Sequence, residues 1–308
     1  METLISVNEN KSETFSEEKI DIIVHETIPK QNYYDTLVLS GASSKGLITL
    51  GSVQYAYDNF LLKDIKTYVG TSSGAMICYL LAIGYTPVEI MVYICTNQLM
   101  EKIQNFNIVS MIQGRGATSF NNIHEQLEKM SISKIGYLPT LKDLKEKYGK
   151  KLICVTHNIT EYRTEYLSPD THPNLPCITA LRMTSNLPLI FENFMYGNCL
   201  YVDGGISDNF PIDIGEQNGD KILGIVLSTE FDKFETGGTD KGILEFIYKL
   251  MLIPVNQNIS RKIENASKKC KILSINFNDL KFFNFDVSSA SKMAMFSSGY
   301  EQAKDFFE

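Results

Sequence analysis

Thr67-Tyr68-Val69-Gly70-Thr71-Ser72-Ser73-Gly74-Ala75-Met76 runs from an apolar, β-prone segment directly into a helical one. It carries the spacing Gly70-x-Ser72-x-Gly74. A serine on a sharp strand-to-helix turn sits in a tight backbone, and glycines two positions to either side let strand and helix approach without a Cβ clash. The turn lifts the Ser72 hydroxyl out of a sheet and sets it at a helix N-terminus, whose unpaired N–H groups favour developing negative charge. The same letters also suit an ordinary Gly/Ser turn. The nucleophile reading therefore depends on finding a partner for the serine.

Upstream, Thr36-Leu37-Val38-Leu39-Ser40 is a short continuous apolar run, the pattern of a strand buried on both faces. It ends in Gly41-Ala42-Ser43-Ser44-Lys45-Gly46, and Leu47, Leu50, Val53, Tyr57 and Leu61 then follow near a helical period. The next strand is expected over Ile65–Val69. The order is strand, small-residue loop, helix, strand, elbow, helix, which implies an α/β fold with a mostly parallel central sheet and right-handed crossovers.

Downstream, Gly84 ends the elbow helix, and Thr86-Pro87-Val88-Glu89 reads as a capping box opening another. Phe120–Met130, Leu141–Tyr148 and Pro176–Ser185 read as helices; Lys151–Val155, Tyr162–Leu167, Leu200–Val202, Lys221–Ser228 and Ile272–Phe277 read as strands. An amphipathic helix starts at Ile243, and a last helix closes the chain through Ala303. Residues 1–34, rich in Glu, Asn, Ser and Lys, read as a partly disordered N-terminal arm, and 35–308 as a single domain.

The 308 residues carry a formal charge of -7, which argues against nucleic acid as a partner. No apolar run approaches the ~20 residues that span a bilayer, and the polar N-terminus has no secretory pattern. The six cysteines (Cys78, Cys95, Cys154, Cys177, Cys199, Cys270) form no C-x-x-C pair. They are expected to be reduced core residues of a cytoplasmic protein. No close-spaced ligand set points to a metal.

An elbow serine needs a base. The common order Ser, then Asp or Glu, then His has no place after Asp203, because no histidine follows His172. Either His157 or His172 works with some other carboxylate, or a carboxylate takes the serine proton directly. Asp203, at the end of a strand and followed by Gly204 and Gly205, has the setting for the second arrangement; a plain Asp-Gly turn has it too. Oxyanion donors would come from the loop after the first strand, at the same sheet edge as the elbow.

These pieces, in this order, resemble the patatin-like phospholipase family. Leu37–Gly41 through Lys45-Gly46 resembles its glycine-rich oxyanion loop, Gly70–Gly74 its nucleophile elbow, and Asp203-Gly204-Gly205 its Asp-Gly-Gly/Ala. Ala180–Pro188 and Asp208-Asn209-Phe210-Pro211 resemble two further family segments. The resemblance implies a three-layer α/β sandwich, Ser72 as nucleophile and Asp203 as general base. It further implies backbone N–H groups around Gly41, Ala42 and Ser43 as the oxyanion hole, with Lys45, Gly46, Gly70, Gly74, Gly204 and Gly205 as supporting positions. It also implies a fatty-acyl glycerolipid or phospholipid as substrate class, with no cofactor. Separately, the apolar stretch Ile243–Ile253 followed by Arg261, Lys262, Lys268, Lys269 and Lys271 reads either as a core stripe with a solvated face or as a transient contact with a membrane surface. One departure stands out: Ala42-Ser43-Ser44 replaces consecutive glycines, and a left-handed φ there costs roughly 1 kcal/mol or more per residue. A catalytically impaired lipid-binding or scaffold protein is thus the second reading. A third, from the likeness of Ser40–Ser44 to the dinucleotide loop of short-chain dehydrogenases, fails because Lys45 and Leu47 stand where small residues should face a pyrophosphate.

Overall fold

In the computed structural model, residues 33–97, 107–228, 243–276 and 288–308 are described. They fall in one compact unit that runs Asn32–Glu308. Of the expected N-terminal arm, all but Tyr33 and Tyr34 lies outside the described residues.

Thr36–Leu39 (β1) is buried throughout, and its side chains alternate between two cores. Leu37 and Leu39 join one apolar cluster with Ile48, Tyr79, Phe120 and Leu181, while Val38 joins another with Val69, Ile153, Phe210 and Val226. A strand that is apolar on both faces needs cover on both, and this sets the layering. Gly46–Asp58 (α1) follows the loop, then Thr67–Thr71 (β2), Ser73–Ala82 (α2) and Pro87–Thr96 (α3). The Thr86 capping box is present: its hydroxyl accepts from Glu89 N at 3.2 Å, and Glu89 Oε2 accepts from Thr86 N at 2.7 Å.

Ile108–Ile112 (α4), Asn121–Ile135 (α5) and Leu141–Tyr148 (α6) lead to Lys151–Asn158 (β3) and Arg163–Leu167 (β4). Cys177–Thr184 (α7), Phe194–Tyr196 (β5), Cys199–Asp203 (β6), Ile212–Asn218 (α8) and Ile222–Ser228 (β7) come next. Ile243–Asn265 (α9), Cys270–Asn276 (β8) and Ser289–Phe307 (α10) close the chain. Strands β3, β2, β1, β7 and β8 form the parallel body of the sheet, while β4, β5 and β6 add antiparallel pairings at one side. Helices including α1, α2, α5 and α7 cover one face; α8 and α9 cover the other through Ile212, Val255 and Ile259. The expected three-layer, mostly parallel architecture is the observed one.

Strand boundaries moved by up to three residues, most at β3, which runs on from Val155 to Asn158, and α4, β5 and α8 had no periodicity long enough to announce them. Helix α9 runs well past the apolar stretch that signalled it and carries Pro254 in its interior.

Strand β3 brings the site together. Residues Cys154–Asn158 pair with β4 along one edge. The opposite edge is shared: Lys151–Val155 take β2, and Thr156–Asn158 take β6. Because β2 runs parallel to β3 and β6 antiparallel, their C-terminal ends meet head to head. Thr71 lies opposite Val155, and Asp203 opposite Thr156. Two residues distant in sequence, Ser72 and Asp203, are thereby delivered to one point on the sheet.

Candidate active site

Ser72 holds φ 53° and ψ −125°, a backbone that L-residues adopt only under constraint. The constraint is visible on every side. A Cβ on Gly70 would stand 2.6 Å from Ala75 N and Cα, and one on Gly74 would stand 2.5 Å from Ser40 O. Only glycine lets β2, α2 and the end of β1 pack this closely. The Ser72 N–H donates to Thr184 Oγ1 at 3.0 Å, and the Thr184 hydroxyl in turn donates to Val155 O. The Ser72 carbonyl accepts from Met76 N at 3.2 Å, which starts α2.

Asp203 is 3% exposed. Its carboxylate is within hydrogen-bonding reach of the Ser72 hydroxyl and accepts from Gly205 N at 2.7 Å. Burial pushes its acidity constant up to about 6, against the lowering pull of those two hydrogen bonds. A carboxyl in that range serves as a proton acceptor near neutrality. The Asp203 N–H donates to Asn186 O at 2.9 Å. The end of α7 and the loop behind it therefore hold both partners: Thr184 the serine, Asn186 the aspartate. A Cβ on Gly204 would drive into the Val155 carbonyl.

The histidines stand elsewhere. His124 pairs with Glu128 at 3.3 Å, His157 Nδ1 meets Thr164 Oγ1 at 3.5 Å, and His172 Nδ1 meets Thr171 Oγ1 at 3.0 Å. None of these three lines the cavity around Ser72. His25 lies outside the described residues.

The loop after β1 packs directly on the elbow, since a Cβ on Gly41 would touch Ser72 Cβ at 3.4 Å and collide with Asn209 Oδ1 at 2.4 Å. Gly41 and Asn209 are latched reciprocally: Gly41 N donates to Asn209 O, and Asn209 Nδ2 to Gly41 O, each at 3.1 Å. The Ala42 N–H donates to Ser73 Oγ at 3.0 Å. Ser43 opens a short 3-10 turn, Ser43–Lys45, with its own N–H at the free N-terminal end of the turn. Of the residues replacing glycine, Ser43 alone takes a left-handed φ, 49°; Ala42 sits at −141°. The strain expected of the whole substitution is confined to one residue. Lys45 is not a solvated loop lysine: it is 5% exposed and lies in the cavity wall, as does Gly46.

A cavity of about 250 Å³ opens at Ser72 and Asp203. Beyond them its walls are almost wholly apolar, with Leu80, Ile90, Phe120 and Leu127 on one flank and Met251, Leu252 and Val255 of α9 on the other. The aromatic part of the wall is backed by Arg182, whose guanidinium lies 4.4 Å from the Phe120 ring centre and donates to Glu192 O at 2.9 Å. Such a cavity suits a hydrocarbon chain. Among the described residues no cluster of His, Cys, Asp and Glu could hold a metal ion.

Sequence reasoning left Thr184, Asn186, Ser73 and Asn209 without roles. Thr184 and Asn186 act through hydrogen bonds to distant backbone groups, which have no periodic or compositional signal; their only trace is that both lie within the quoted segment Ala180–Pro188, as Asn209 lies within Asp208–Pro211.

An α/β fold thus brings together a serine on a strained strand-to-helix elbow, a buried carboxylate on a neighbouring strand end and an apolar cavity over both. The family model described as patatin-like phospholipase matches residues 37–215, more than half of the chain, and the chain belongs to that family. A probable lipid hydrolase, 463L of Invertebrate iridescent virus 6, is 36% identical over 191 residues, 60% of this chain and 64% of that protein. The uncharacterized protein R571 of Acanthamoeba polyphaga mimivirus is 26% identical over 277 residues, 87% of this chain and 92% of the other. In fold the chain is similar to VipD from Legionella pneumophila, with a TM-score of 0.53 at 17% identity, covering 89% of this chain and 66% of VipD. The matched regions thus span just under two thirds of 463L and of VipD.

Proposed function

We propose that this protein is a lipid acyl hydrolase of the phospholipase A type, working through a Ser72 acyl-enzyme with Asp203 as base. The observation that carries this reading is the hydroxyl of Ser72 within reach of the buried Asp203 carboxylate at the mouth of an apolar cavity. Asp203 takes the Ser72 proton as Oγ attacks the ester carbonyl, and the carbonyl electron pair moves onto oxygen. Collapse of this intermediate expels the alcohol, which leaves with the proton from Asp203. Water, deprotonated by Asp203, then attacks the acyl-enzyme, releases the fatty acid and restores Ser72.

The oxyanion loop is the part of the family pattern that this chain alters most. With the Gly41 N–H engaged by Asn209, the donors facing the nucleophile come from Ser43 and from the N-terminus of α2. The substrate reading is supported by the family and by the cavity lining, to which α9 contributes Met251, Leu252 and Val255. Phe246, Leu250 and Ile253 are about half exposed on the outer side of that helix, which supports transient contact with a membrane surface. Two of the lysines that follow are already occupied: Lys262 by Asp208 at 2.7 Å and Lys269 by Asp220 at 2.9 Å. The apolar side chains thus carry the contact more than a basic patch does. The six unpaired thiols support a reducing compartment, the cytoplasm.

The test is fatty-acid release from phospholipid vesicles, together with labelling by a fluorophosphonate. Wild type releases fatty acid and labels at Ser72, and Ser72→Ala does neither. A folded wild-type protein that neither hydrolyses nor labels would instead favour the second reading, a catalytically impaired lipid-binding or scaffold protein.

A further inference from the structure

The serine beside the nucleophile has no role in the mechanism above, yet it lines the cavity with Ser72 and takes up a backbone donor of the oxyanion loop. Ser73 Oγ accepts the Ala42 N–H at 3.0 Å, so the backbone donor expected from Ala42 points at this hydroxyl. Among the described residues no group accepts the proton of Ser73 itself. Ser73 lines the same cavity as Ser72, Ala42 and Ser43. It is also the first residue of α2, a helix of 10 residues, so the field of that terminus adds to any donor placed there. Opposite it stands Gly46, where a Cβ would lie 3.3 Å from Ser73 Oγ; the glycine leaves the hydroxyl room to turn.

Resting on the reading of Ser72 and Asp203 given above, we propose that Ser73 is a catalytic residue. Its hydroxyl, polarised by the Ala42 N–H, donates a hydrogen bond to the oxyanion formed on the substrate carbonyl. No bond to Ser73 forms or breaks. The hydroxyl relays the donor that Ala42 supplies directly in a loop without this contact, and it offsets the departure of Ala42-Ser43-Ser44 from glycine.

The opposite arrangement, in which Ser73 merely blocks Ala42, makes the contrary prediction. Removing the hydroxyl would free the Ala42 N–H for the oxyanion and leave the rate unchanged or higher. The experiment is kcat and KM for Ser73→Ala on a soluble short-chain ester, with the rate of fluorophosphonate labelling at Ser72 and the melting temperature of each protein. Expected is a fall in kcat of about 10²-fold, the loss typical of one oxyanion donor, with KM within about threefold and labelling slowed in parallel. A kcat equal to or above wild type, with the fold intact, overturns the proposal. If Ser73→Ala does not fold, Ser73→Cys, near in volume but a weak donor, is read by the same criterion. Wild type that neither hydrolyses nor labels removes the acyl-hydrolase reading and this inference with it. A Ser73→Ala protein as active as an active wild type removes this inference alone.

Discussion

Ser72 and Ser43 line one cavity with nearly the same positive φ, 53° and 49°, but they are held in different ways. Around Ser72 the strain is over-determined: Thr184 takes its N–H, Met76 its carbonyl, and Gly70 and Gly74 lock the strand and helix that flank it. Ser43 sits at the start of a 3-10 turn of three residues, tied through the Gly41–Asn209 latch and the Ala42–Ser73 contact. A strained residue persists where its neighbours leave it no alternative. The nucleophile is therefore held through both its own N–H and its carbonyl, whereas Ser43 is held through its carbonyl, which accepts from Gly46 N, and through the residues on either side of it. If that contrast is right, damage on the Ser72 side is severe and damage at Ser43 slight.

The largest effect is expected at the base. Asp203→Asn keeps the shape but cannot take the Ser72 proton, and ester hydrolysis falls by about 10³-fold or more. In wild type the rate should drop about tenfold per pH unit below about 6, where burial has set the acidity of Asp203. Stability runs the other way. The folded state raises this carboxyl from 3.8 to about 6, so it holds the proton more tightly than the unfolded chain does. The stabilisation is full below the unfolded value of 3.8, and is lost as pH rises through about 6. Asp203→Asn should thus melt higher than wild type at pH 8, by up to about 3 kcal/mol, with the gain vanishing near pH 4. Equal melting curves at both pH values would mean that the carboxylate is better solvated than its burial indicates.

Gly74→Ala comes next. Its Cβ would meet Ser40 O at 2.5 Å and Leu39 O at 2.6 Å, backbone atoms of a strand buried on both sides. Neither strand nor helix can yield without moving Ser72. A loss of about 3 kcal/mol or more, together with loss of fluorophosphonate labelling, is expected by thermal denaturation and probe assay. A stable, fully labelling variant would show that the elbow is held less tightly than this.

Thr184→Val is smaller and more specific. The isosteric change leaves the Ser72 N–H without its acceptor and the Val155 carbonyl without the threonine donor, at a cost of about 1–3 kcal/mol. A fall in kcat of about tenfold with unchanged KM is expected, and Thr184→Ser should restore most of it, because the hydroxyl and not the methyl holds the serine. Rescue by neither serine nor any other hydroxyl would assign Thr184 to packing alone.

How the sequence announced these parts follows from the range over which each is determined. The elbow was legible because Gly70, Ser72 and Gly74 lie within five consecutive positions and answer to one local steric demand. The parallel sheet was legible because β1 and β7 are continuous apolar runs, which only two covered faces explain. Asp203 showed as a strand end before two glycines, but its meeting with Ser72 depends on how β2 and β6 divide one edge of β3, a pairing register that no local pattern encodes. Thr184 and Asn186 are harder still. Thr184 bridges the Ser72 N–H and the Val155 carbonyl, and Asn186 accepts the Asp203 N–H and donates its Nδ2 to Tyr201 O, all more than ten residues away in sequence; residue type alone cannot choose such partners.

Ser43→Gly should have the smallest effect, and it tests the other half of the contrast. Relief of the left-handed conformation is worth about 1–2 kcal/mol. The extra freedom glycine gives the unfolded chain takes back about 0.4–1 kcal/mol. The net expectation is a gain of about 0.5–1 kcal/mol in chemical denaturation. Activity should stay within about threefold, since the backbone N–H that faces the cavity is unchanged by the substitution. Destabilisation by more than about 1 kcal/mol would mean that the Ser43 side chain helps hold the turn, in which case the loop is as fixed as the elbow. A gain in stability accompanied by a steep fall in kcat would point to a third possibility: the strained serine, and not merely its N–H, sets the angle at which the loop meets the oxyanion.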